Sequence, residues 1–217
     1  MDRRRLIAGI LVFGSIWGFA ESIIGSYLNN AGLPSGAIMT GFFAVGLMSI
    51  SRILYRVRGM QLGMGFIAGS LRLLNPFVAC SICSALAIMA EGIIFELIWH
   101  SMSFDLREFR TPTINISMGI VTAYCCFTGG FIVTQILTPL TSSAGFYLSN
   151  LLAFIPTILS RGLLAAFIGI IVFPLTTLLR DIDVLRIRDR FYYAVTATVT
   201  MLCWSIVIVN TLLFVGV

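Results

Sequence analysis

The feature that most restricts this chain is an apolar run close to the thickness of a bilayer, repeated about seven times with only short connections between repeats. A helix rises 1.5 Å per residue, so roughly 20 apolar residues cross a hydrocarbon core of ~30 Å. Runs of this kind lie at residues 6–28, 36–54, 60–76, 77–99, 114–137, 156–179 and 191–215. Hydrophobic residues make up 59% of the 217 and charged residues only 11%, whereas soluble domains average roughly 25% charged. No water-soluble core can hide that much apolar surface. The expected fold is therefore all-α, a single polytopic transmembrane bundle spanning residues 1–217. The third run is short and ends at Asn75-Pro76, where proline removes a donor and disfavours a helical residue before it, so it is a candidate interrupted helix. Residues 138–150 are uncharged and rich in Ser, Thr and Gly, and 151–156 are expected to lie on the surface or re-enter the membrane.

The connections assign sidedness. Every one of the 14 basic residues is arginine. Arg3, Arg4 and Arg5; Arg52, Arg56 and Arg58; Arg107 and Arg110; and Arg180, Arg186, Arg188 and Arg190 fall on alternate connections, and the other connections carry none. Arginine-rich short loops stay in the cytoplasm, which places the N-terminus inside and the C-terminus outside. The net charge of +5 is thus accounted for by orientation, and nucleic acid is not an expected partner. The absence of lysine excludes Schiff-base chemistry. The basic start resembles a leader, but the apolar stretch after it is too long and lacks a small-residue cleavage site, so it is read as an uncleaved first helix.

A charge near the centre of a span costs at least ~2.5–3.5 kcal/mol on insertion scales and needs a partner, a water-filled cavity or a task. Five residues qualify: Glu21, Arg72, Glu91, Glu96 and Arg161. Counted from the helix ends, Glu21, Arg72 and Arg161 lie in the outer halves of their spans, with Asn75, Gln135 and Asn150 at similar depth. If they converge, Glu21, Arg72, Asn75 and Arg161 form an outward-opening pocket. Two guanidinium groups against one carboxylate would favour a small polar or anionic solute, because the arginine fork matches a carboxylate. The plainer alternative is an internal pair tying helices together. Glu91 and Glu96 fall in the inner half of the fourth run, five residues apart and on different faces. Glu96 is expected to snorkel or to meet Arg52; Glu91 is a candidate proton or ion site, or half of a buried pair. His100 beside Trp99 reads as an interfacial anchor, and with no second histidine neither a metal site nor any cofactor is expected.

Small residues recur at close-packing intervals, as at Gly14 and Gly18 or Gly65 and Gly69, with packing inside the chain as the default. Cys80-Ser81-Ile82-Cys83 is a C-x-x-C on one helical face, which keeps a membrane thiol oxidoreductase in view as an alternative. Cys125, Cys126 and Cys203 read as small apolar packing residues. No catalytic motif is evident, so an enzyme is not the leading expectation.

The first hundred residues resemble the substrate-binding S components of energy-coupling-factor (ECF) transporters. The resemblance is carried by Trp17-Gly18-Phe19-Ala20-Glu21, the uncharged loop ending Leu33-Pro34-Ser35-Gly36, the glycine-rich stretch 63–70 and Leu74-Asn75-Pro76. It implies a helix bundle in a prokaryotic plasma membrane that captures a solute near its outer face under a loop lid, with partner subunits driving release. Carried over, Ala8, Gly9, Gly14 and Gly18 would meet a partner helix, and Glu21, Arg72, Asn75 and Arg161 would line the pocket. A seventh span is not typical of that family, and its vitamin-binding signatures are not evident. The rival expectation is a non-catalytic structural subunit of a membrane complex.

Overall fold

A computed structural model describes residues 3–75, 81–101, 106, 111–141, 148–182 and 187–215. Among these residues seven helices follow in chain order: α1 (Arg3–Asn30), α2 (Ser35–Tyr55), α3 (Met60–Leu73), α4 (Ser81–Ser101), α5 (Pro112–Thr141), α6 (Leu148–Thr177) and α7 (Asp189–Val215). No strand occurs among the described residues. All but α3 are long and apolar enough to cross a membrane. α3 has 14 residues, a rise of about 21 Å. The chain leaves this helix at Leu74, one residue earlier than the Asn75-Pro76 break alone requires. Pro76, Cys80, Arg107, Arg110 and Arg186 lie outside the described residues.

Two boundaries differ from the sequence expectation. Residues 151–156 belong to the continuous helix α6, which contains both Pro156 and Pro174. In an apolar surround an open backbone has no water to satisfy it, so a helix that loses one bond at a proline is better than a helix that stops. α1 ends two residues later than expected, at Asn30, where Leu33 N–H bonds to Leu28 C=O and Gly32 N–H to Asn29 C=O. This pair of bonds is a Schellman cap, and it requires the left-handed residue that Gly32 supplies at φ +72°.

The helices close into a ring. α1 packs on α3, α3 on α4, α4 on α5, α5 on α6, α6 on α2, and α2 returns to α1. α7 stands outside this ring against α1, tied by Trp204 Nε1–H to Ser15 Oγ at 3.0 Å and by the Tyr192 hydroxyl to Arg5 C=O at 3.0 Å. The outer surfaces carry apolar stripes at helical spacing, such as Leu163, Phe167, Ile171 and Leu175 on α6, each more than half exposed. Water would make such a stripe unfavourable and lipid would not. The chain is a multi-pass helical membrane protein.

The interior is divided. Toward the arginine-rich end it is filled by one cluster that includes Trp17, Val45, Met48, Ile53, Met60, Met64, Phe95, Trp99 and Phe173. Trp99 stacks on Phe173 with centroids 5.6 Å apart and is buried, while His100 beside it is exposed. Toward the arginine-poor end the packed residues thin to Ala37, Phe127 and Ala165 with Phe131 against them, and there the bundle is hollow.

Candidate functional site

The hollow is a cavity of about 730 Å³ between α1, α2, α3, α4, α5 and α6, reaching the loop between α1 and α2 at Gly32, Leu33 and Pro34. Glu21, Arg72 and Arg161, the three charges read as lying in the outer halves of their spans, all line it, and so does Gln135. Glu91 lines it as well. The expectation of a separate inner position for Glu91 is corrected: its side chain forms part of the same cavity wall as Glu21, Arg72 and Arg161.

Each charged group is held differently. Arg72 donates from Nε to Ser84 Oγ at 3.0 Å, and from Nη1 to Ser26 Oγ at 3.2 Å and to the Glu21 backbone carbonyl. Those acceptors come from α1 and α4, the two neighbours of α3, so the guanidinium is fixed across three helices. The Glu21 carboxylate accepts from Trp17 Nε1–H at 3.4 Å, one helical turn earlier on α1. Among the described residues no carboxylate lies within 4 Å of Arg72 or Arg161, so the simple Glu21–arginine tie is not formed. Arg161 is exposed, projects from α6, and makes no hydrogen bond or ion pair with a described residue. Glu91 Oε1 accepts from Thr40 Oγ1 at 2.6 Å, while Oε2 has no partner.

Thr40 was not singled out by sequence, and a threonine in an apolar run gives no signal, since its hydroxyl ordinarily bonds back to its own helix. It lies in a π-helical turn, Met39–Ala44, inside α2. Such turns concentrate at functional sites because they change which side chains face inward.

Asn75 is buried just behind the wall, donating from Nδ2 to Ser22 C=O at 2.6 Å and Ser26 Oγ at 3.0 Å. It anchors the end of α3 to α1 and does not line the cavity. The Asn150 side chain lies outside the described residues. Glu96 meets Arg52, with Oε1 3.7 Å from Nη1, and its two oxygens also accept the Gly59 and Gln61 backbone N–H at 2.9 and 3.2 Å. A carboxylate there fills donors that the first turn of α3 leaves open and sits at the positive end of that helix.

The small residues of α1 face this chain's own helices. A Cβ added to Gly9 would strike the Tyr55 ring, one on Gly14 would meet Ile67 and the Met64 carbonyl, and one on Gly18 the backbone of Ala68. Ala8 packs against the main cluster. Gly9, Gly14 and Gly18, expected to meet a partner helix, thus pack against α2 and α3 of this chain, while Ala8 is half-buried. Cys83 is disulfide-bonded and lines the cavity; Cys125, Cys126 and Cys203 are free thiols, the last two buried. No cluster that could hold a metal ion occurs among the described residues.

A lipid-facing bundle with a charged cavity between its helices defines a class, the multi-pass membrane proteins with an internal polar site. No family model matches the sequence, and no curated protein and no solved structure matches the chain.

Proposed function

We propose that this chain is a solute-binding subunit of a membrane transporter in a prokaryotic plasma membrane, capturing a small polar or anionic molecule in the cavity. The observation that carries the reading is the position of Arg161, a cation on the cavity wall with no partner among the described residues. A guanidinium within a span is expensive unless water or a ligand meets it, and a cavity wall supplies that setting. The filled arginine-rich half supports capture without passage: Trp17, Val45, Met48 and Met64 are fully buried in the cluster that fills it. Release would then need a partner, as the resemblance to ECF S components implies. With the arginine-rich end in the cytoplasm the cavity lies in the outer half, and the lining by Gly32, Leu33 and Pro34 of the α1–α2 loop supports the lid that the resemblance implies.

The test is thermal unfolding of the purified protein against a panel of vitamins, amino acids and organic acids. A ligand at a hundred times its Kd adds about 2.7 kcal/mol of stability. A stabilising ligand whose effect is lost in Arg161→Ala supports the reading. A folded protein that responds to none, and that purifies within a stable complex lacking an ATPase, supports the structural-subunit alternative instead.

A second reading is favoured by the disulfide at Cys83 on the same wall. A membrane thiol oxidoreductase would cycle that bond, and a thiol reagent would label Cys83 in cells grown under reducing but not oxidising conditions. Equal labelling in both removes this reading.

A further inference from the structure

We infer that the cavity takes a zwitterion, a small molecule bearing a carboxylate or similar anion together with a protonated amine. The inference rests on the solute-binding reading above and names the class of solute.

The donor side is set by two guanidinium groups. Arginine carries five N–H donors. Arg72 spends its Nε and Nη1 hydrogens on Ser84, Ser26 and the Glu21 carbonyl, and its Nη2 makes no bond with a described residue. Arg161 uses none of its donors on a described residue. Both side chains are cavity wall, so together they offer an anion an uncommitted guanidinium edge and a second, wholly uncommitted guanidinium.

The acceptor side is open as well. Glu21 receives a donor only at Oε1, from Trp17. Glu91 receives one only at Oε1, from Thr40, and its Oε2 is buried without a partner. Glu21 and Glu91 are 8% and 6% exposed, and both line the cavity. Each therefore keeps a second oxygen with no hydrogen-bond donor among the described residues, on one secluded wall.

A purely anionic ligand would satisfy the arginines and leave the open acceptor oxygens of Glu21 and Glu91 without a donor. A purely cationic ligand would satisfy the carboxylates and face Arg72 and Arg161. A molecule with both charges matches both sets at once. Phe127 and Phe131, on the same wall with ring centroids 5.3 Å apart, provide an apolar surface for the carbon skeleton between them.

The experiment uses the full-length protein in lipid nanodiscs and three matched sets of probes: the common α-amino acids, the corresponding acids without the amine, and the corresponding amines without the acid. Thermal unfolding finds binders and titration gives Kd. The expected result is that at least one amino acid binds, with its matched acid and matched amine each weaker by about tenfold or more, equivalent to ~1.4 kcal/mol. Glu21→Gln and Glu91→Gln are each expected to weaken the amino acid about tenfold and to leave the matched acid little changed. Should either variant fail to fold, the comparison of matched probes on the parent protein decides alone. If an acid or an amine binds as tightly as its amino acid, the zwitterion inference is overturned while solute binding stands. If no probe of any set binds the folded protein, both fall.

Discussion

Glu96 shows how one side chain can join three segments. Its carboxylate takes two backbone N–H donors at the start of α3 and lies 3.7 Å from Arg52 on α2. Hydrogen bonds to a charged acceptor contribute about 1.5–3 kcal/mol. Glu96→Ala is therefore expected to lower stability by about 2–4 kcal/mol, and Glu96→Gln by less because one acceptor oxygen remains; differential calorimetry in detergent measures both. The meeting with Arg52 was legible in sequence, since both residues fall near the same membrane edge. The capping of α3 was not, because nothing in a run of apolar residues says which helix start will arrive beside a given carboxylate. Gly32 is a second single-residue test. At φ +72° it closes α1, and Gly32→Ala is expected to cost about 1–2 kcal/mol of stability, although a Cβ there would touch nothing within 4 Å. A loss in the thermal midpoint without any change in packing would identify backbone strain as the cause.

At the scale of elements, the lengths of the apolar runs predict the helices well, because the bilayer sets one length for all of them. A departure occurs where a local feature competes, at the prolines of α6, which do not stop it. Glycine content signalled close packing but not the partners. The tightest crossing, α5 on α6, was not anticipated at all. A Cβ on Gly169 would lie 2.5 Å from the Gly119 carbonyl and 2.8 Å from Ala123 Cβ. Neither obstacle is the flexible end of a side chain, so the two helices would have to part. Gly169→Ala is expected to destabilise by about 1–3 kcal/mol, and Gly169→Leu to prevent a folded monodisperse peak in size-exclusion chromatography. An alanine variant as stable as the parent would show that this crossing is looser than the structure has it.

For the whole molecule, sidedness is the property on which the functional reading turns. Asn30 lies at the cavity end and Arg58 at the filled end. With native thiols blocked, a membrane-impermeant maleimide is expected to label Asn30→Cys in intact cells and Arg58→Cys only after permeabilisation. The reverse pattern would put the cavity mouth in the cytoplasm and remove capture from outside. The seven runs and their alternating arginines made the bundle legible from sequence. The closed ring of six helices with α7 outside it was not, since run lengths and loop charges carry no information about which helices touch.

The π turn of α2 has a geometric consequence of its own. An α-helix advances about 100° per residue, and a π turn accommodates one residue more than the regular repeat. The segment before Met39–Ala44 is thereby turned relative to the segment after it. One half of α2 can direct Met48, Ser49 and Ser51 into the filled interior while the other directs Ala37 and Thr40 to the cavity. Deleting a single residue within 39–44 would bring both halves into one angular phase and swing Thr40 away from Glu91, leaving the composition of the wall almost unchanged and its orientation wrong.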